Sequence, residues 1–170
     1  MGQFESIDAY LARLLNVEVL TWVAAWFALF LVFRKPLARR LNLGVGATLM
    51  LGGAMAGILG FSIRPWDFNG VSETFWLLDP LLWSISWQVG GNWILNALLY
   101  VPLGYLLVRF GKPAGLSWLA LVGLSAAIET IQSLTRLGVG DPADFVSNCF
   151  GALVGIAIGT LSRPRTNRKR

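Results

Sequence analysis

The chain contains no histidine and only one cysteine, Cys149. Without imidazole, zinc sites built on histidine and histidine acid–base relays are excluded. A lone cysteine cannot close an internal disulfide. In an apolar run, Cys149 reads as a small buried hydrophobe. Charge is scarce too: charged residues are 14% and apolar residues 55% of the 170 positions. Soluble domains carry about 25% charged residues. A domain this small leaves much of its surface exposed, so one core cannot hide that much apolar surface. The excess must face something other than water. That argues against a soluble enzyme and against a disordered tail.

What the sequence does have is long apolar runs. A membrane span needs about 20 mostly apolar residues at 1.5 Å each. Five stretches qualify: Leu14–Phe33, Leu43–Ile63, Asn92–Phe110, Leu116–Thr135 and Phe145–Leu161. The expected fold is therefore all-α, a polytopic membrane bundle of about five helices. The first run is preceded by Glu5 and Asp8, unlike the positive leading region of a cleavable signal. One bundle over 14–161 is expected, with an external segment 1–13 and a basic cytoplasmic tail 162–170.

Lysine and arginine fix the expected orientation. Arg34, Lys35, Arg39 and Arg40 follow the first run, Arg109 and Lys112 separate the third and fourth, and five more follow the fifth. Five spans place these eleven of the fourteen cations on one side, which the positive-inside rule makes cytoplasmic. Arg13, Arg64 and Arg136 fall on the other. The N-terminus is then outside and the C-terminus inside. The basic tail reads as a cytoplasmic anchor meeting anionic headgroups rather than a nucleic-acid arm. All nine acidic residues fall on the outer side or in the outer half of a span. The connection Arg64–Gly91 carries Trp66, Trp76, Trp83 and Trp87, as an interfacial segment does. Within it Asp79-Pro80 predicts the start of a short surface helix over Pro80–Val89.

Polar residues recur inside the last three runs. Ser125, Glu129, Gln132 and Arg136 are spaced 4, 3 and 4 apart, on one helical face. Asp144, Asn148, Gly151 and Gly155 repeat that spacing, and their glycines permit close helix approach. Asn92 and Asn96 stack at i and i+4 ahead of Pro102, which predicts a kink. Counting along the helices puts Asn96, Glu129 and Asn148 roughly 5–10 Å below the outer surface. If those faces converge, they form one polar pocket opening outward. Its expected ligand-binding residues are Asn92, Asn96, Glu129, Gln132, Arg136, Asp141, Asp144 and Asn148. Asp141 also suits an N-cap, and Asp144 a first-turn acid. Glu129 stands apart, because an ionisable residue within a span implies function by default. Glu18, near the outer end of the first run, is a minor candidate.

Three elements in order resemble the VanZ-like membrane protein family. They are Asn92-x3-Asn96 followed by Tyr100-Val-Pro-Leu-Gly104, then Glu129-x2-Gln132-x3-Arg136, then Asp141-x2-Asp144-x3-Asn148-x2-Gly151-x3-Gly155. The likeness covers roughly residues 92–159. It implies a multi-pass protein of the bacterial cytoplasmic membrane, in a family whose founding member is associated with resistance to teicoplanin-type glycopeptides. The resemblance supplies a context and no mechanism.

Three functional readings follow. In the first, the pocket binds a lipid headgroup or lipid-linked cell-envelope precursor, or docks a membrane partner, without catalysis. In the second, a hydrolase or transferase uses Glu129 as base and Arg136 to hold a phosphate or carboxylate, with Asp144 as second acid or as a metal ligand beside Asn148. The third is a small proton-coupled transporter, disfavoured because the inner half of every span lacks an acid. The first reading implies no cofactor, no metal and no nucleic acid, with the lipid bilayer as constant partner.

Overall fold

The computed structural model describes residues 16–63, 92–135, 137 and 140–163. These form five helices: α1 Val17–Leu41, α2 Val45–Ser62, α3 Asn92–Arg109, α4 Ala114–Thr135 and α5 Pro142–Leu161. No strand occurs among the described residues. Helices α1, α2, α4 and α5 are long and apolar enough to cross a membrane, and α3 is a slightly shorter apolar helix. The protein is a helical membrane bundle. The Trp-rich connection with its expected helix over 80–89 lies outside the described residues.

The first helix is longer than its apolar run. It continues past Phe33 through Arg34, Lys35, Arg39 and Arg40, so the basic segment that follows the first apolar run occupies the helix's last two turns. A run counted by apolarity stops at the first charge. Arginine and lysine, however, extend their stems along a helix and keep their heads in water. Cations in the last turn also suit the negative end of the helix dipole. Asn16 caps the start, accepting from the Val19 N–H at 2.8 Å. Asn42 ends the helix in the left-handed region (φ 52°), a conformation asparagine tolerates.

Short connections make sequence neighbours antiparallel. Residues 42–44 join α1 to α2, and 110–113 join α3 to α4, where Gly111 takes φ 89°. The Lys112 ammonium donates to the Leu41 carbonyl at 2.7 Å. The Arg163 guanidinium donates through Nε to the Val108 carbonyl at 3.0 Å, and through its NH2 group to Lys112 O at 3.2 Å. These contacts tie the ends of α1, α3 and α5 together into a basic end. At the opposite end Gln132 Nε2 donates to Ser62 O at 2.7 Å, joining α4 to α2. The Trp22 indole N–H donates to the Ile63 carbonyl, joining α1 to α2.

The most extensive packing is between α3 and α5. A Cβ at Gly151 would overlap the Ala97 carbonyl, and one at Gly155 the Val101 carbonyl. From the other side, a Cβ at Gly104 would lie 2.5 Å from Ala152 O. The glycine spacing therefore lets two backbones touch, as small residues do at membrane helix crossings. Pro102 faces outward from this contact, and α3 runs continuously through it. Leu51, Ile58, Tyr100, Leu103, Leu121, Ile128 and Ile156 fill the core. Leu116, Leu119, Leu134, Phe150 and Leu153 stay exposed, as expected of a surface facing lipid.

Candidate polar site of the last three helices

Glu129 is only 2% exposed, although it lies in the second half of α4. Its Oε2 accepts the backbone N–H of Asp141 at 2.9 Å. A carboxylate at membrane depth is costly without partners. Here the partner is a main-chain donor at the entrance to α5, not a side chain of another helix. The first backbone N–H groups of a helix have no intrahelical acceptor. Asp141 is the N-cap of α5, and its Oδ1 accepts the Ala143 N–H at 2.7 Å. Proline at the first helical position completes this start. The segment entering α5 thus receives Glu129 and caps its own helix.

Further along these helices a second contact closes the cluster. Asn148, 4% exposed, donates through Nδ2 to the Ser125 hydroxyl at 3.1 Å. Ser125 is fully buried and lies one turn before Glu129. From α3, the Tyr100 side chain reaches the same place, beside Ser125 and within electrostatic range of Glu129. Tyr100 is 1% exposed, and its hydroxyl lies against the Ser125 side chain. Asn96, one turn before Tyr100, lies beside the half-buried Asp144 carboxyl. Asp144 and Asp141 are both close enough to Glu129 to interact electrostatically.

The structure thus gathers Asn96, Glu129, Asp141, Asp144 and Asn148 from α3, α4 and α5. Gln132 departs from the group by turning its amide N–H2 toward α2. Asn92 is the first residue of α3, and its side chain lies outside the described residues, as does Arg136. Glu18 is exposed in the first turn of α1, a helix that packs chiefly on α2. Ser125 and Tyr100 belong to the cluster although they were not among the expected ligand-binding residues. Both signals were present in the sequence. Ser125 shares the face of Glu129 at i−4, and Tyr100 follows Asn96 at i+4.

The VanZ/LLP1 family profile matches residues 22–163. The chain belongs to the VanZ/LLP1 family. The match takes in α1 and α2 as well as the polar face, so the family's extent reaches well beyond residues 92–159. No curated protein and no solved structure matches the chain. In this VanZ/LLP1 protein, the three family-like motifs are the segments that meet around Glu129. Among the described residues no three acidic or cysteine side chains converge as a metal-binding group. The cluster holds three carboxyls, two carboxamides and two hydroxyls, of which Asn96, Asp141 and Asp144 are half-buried and the other four buried.

Proposed function

We propose that this VanZ/LLP1 protein resides in the bacterial cytoplasmic membrane and uses the polar cluster to hold the headgroup of a lipid or lipid-linked cell-envelope precursor. In this reading the acidic end faces outward and the basic end faces the cytoplasm. The single observation that carries it is Glu129, a carboxylate buried to 2% exposure in a membrane helix and met by one backbone N–H. Packing alone gives no reason to keep such a group, which costs about 2.5–3.5 kcal/mol on insertion scales. The basic end supports the orientation, because cytoplasmic ends of membrane helices collect lysine and arginine. The half-buried rim of Asn96, Asp141 and Asp144 supports access from the headgroup region.

The test replaces Glu129 with glutamine in cells whose teicoplanin-type glycopeptide susceptibility depends on this protein. The reading expects the phenotype to disappear while membrane insertion is retained. An unchanged phenotype at equal protein level removes the cluster from consideration.

A second reading keeps the ligand and adds chemistry. The approach of Asp141 and Asp144 to Glu129 favours it, since paired carboxyls serve general acid and base roles. Incubation of purified protein with lipid-linked precursors, with and without Mg²⁺, decides it. Turnover lost in Glu129→Gln supports a hydrolase or transferase, and no turnover under either condition rejects it.

A further inference from the structure

The first helix keeps a face that the rest of the bundle leaves open. Only 6% of its apolar window is buried, against 33%, 28% and 39% for the other three long spans. Along this face runs a groove of about 400 Å³, lined by Leu29, Phe30, Phe33, Pro36, Leu37 and Arg40. Steps of one, three or four residues hold all six on one side of the helix. From Leu29 to Arg40 the groove spans about 16 Å at 1.5 Å per residue. Phe30 is seated on α2, where a Cβ at Gly52 would lie 3.0 Å from its own Cβ. Leu29 and Phe33 are half exposed, and between Phe33 and Leu37 the exposed Pro36 brings only a compact ring.

The groove is apolar along its length and cationic at one end. Other cations of the basic end are committed to carbonyls: Arg34 to Leu31 O, Lys112 to Leu41 O and Arg163 to Val108 O. Arg40 is exposed and makes no hydrogen bond or ion pair with the described residues. Its guanidinium keeps a planar fork of donors, which matches a phosphate bidentately and is more weakly hydrated than an ammonium. Exposed Lys35 and Arg39 add charge on the adjoining turns. A trough of apolar side chains ending in a cation complements an amphiphile with an acyl chain and an anionic head. Its length of about 16 Å also matches half of the roughly 30 Å hydrocarbon core, the depth one acyl chain occupies. A zwitterionic lipid would bring its own cation to Arg39 and Arg40. A second copy in the same orientation would set its Arg40 at the same depth, like charge beside like charge.

We propose that this groove holds an anionic phospholipid from the leaflet at the basic end. Its phosphodiester sits on the Arg40 guanidinium, and one acyl chain lies along Pro36, Phe33 and Leu29. The lipid covers the helix that packs chiefly on α2 alone. This site draws on neither the acidic cluster nor the headgroup reading, and it stands or falls separately from them.

The experiment exposes full-length protein, purified in detergent, to equimolar phosphatidylglycerol and phosphatidylcholine with identical acyl chains. Native mass spectrometry counts the lipid retained. Phosphatidylglycerol is expected to be retained about tenfold over phosphatidylcholine, the equivalent of 1.4 kcal/mol. Arg40→Gln should bring the ratio toward one. Arg40→Lys, which keeps the charge and loses the fork, should leave it in between. Leu29→Trp fills the inner end of the groove and should lower phosphatidylglycerol retention with Arg40 untouched. Arg109→Gln, at the basic end but off the groove, should leave the ratio unchanged. Arg40, Leu29 and Arg109 are all exposed, so the substituted proteins should keep the parent's thermal unfolding in lipid-free detergent. Equal retention of the two lipids by the parent protein overturns the proposal. So does a preference that survives Arg40→Gln or falls equally with Arg109→Gln, because that marks diffuse surface charge. A lipid-free dimer broken by Leu29→Trp also overturns it and assigns the groove to a second copy.

Discussion

The carboxylate of Glu129 on α4 receives the main-chain N–H of Asp141, the residue that caps α5, at 2.9 Å. This bond joins a buried acid to a helix start, so charge and fold are coupled at one point. Glu129→Gln keeps a side-chain oxygen for that N–H and replaces the other oxygen with an amide N–H2. It should unfold within about 1 kcal/mol of the parent protein, the net worth of an ordinary hydrogen bond. Glu129→Leu leaves the N–H unsatisfied and should cost about 1–3 kcal/mol. Reversible unfolding in mixed micelles measures both, and equal losses would deny the bond a structural role.

The contact between α3 and α5 makes a steric prediction. Alanine at Gly151 or Gly155 drives a methyl group into a carbonyl of α3. Each substitution should lose about 1–3 kcal/mol, the usual cost of overpacking. Gly123 on α4 has open space around its Cβ position. Gly123→Ala should therefore be neutral or mildly stabilising. Thermal unfolding followed by tryptophan fluorescence distinguishes the three, and a tolerant Gly151→Ala would show that the two backbones do not approach this closely.

Ser125 and Asn148 form the buried side-chain bond that ties α4 to α5. Interhelical hydrogen bonds in membranes average about 0.6 kcal/mol in double-mutant cycles. Ser125→Ala and Asn148→Ala should be coupled by about that amount, with the double mutant less damaged than the sum of the singles. Strict additivity would mean that the two side chains do not interact.

Much of this arrangement was legible in the residues, for physical reasons that also explain the gaps. Apolar runs of span length gave the order of the five helices among the described residues, because hydrocarbon tolerates little else. They misjudged the end of α1, where Arg34 and Lys35 continue the helix beyond the run. The shared face of Ser125, Glu129 and Gln132 follows from 3.6 residues per turn, but periodicity says nothing about which neighbour a face meets. Hence Glu129 turned toward α5, whereas Gln132, three residues on, turned toward α2. Tyr100 read as part of a motif around a proline. Only the packing of α3 on α5, set by Gly151 and Gly155, brings its hydroxyl beside Ser125. The acceptor for a helix-start N–H cannot be found by pairing side chains, so the Glu129–Asp141 bond had no sequence signal.

In the proposed orientation the acidic cluster opens toward the outer headgroups while the basic end faces the cytoplasm. Cysteine accessibility in intact cells tests it most directly, using Cys149→Ala protein with single cysteines at Asp144 or Arg163 and a membrane-impermeant maleimide. This orientation predicts labelling at position 144 from outside in intact cells, and labelling at position 163 only after the membrane is permeabilised. Labelling of 163 in intact cells, with 144 protected until permeabilisation, would contradict it.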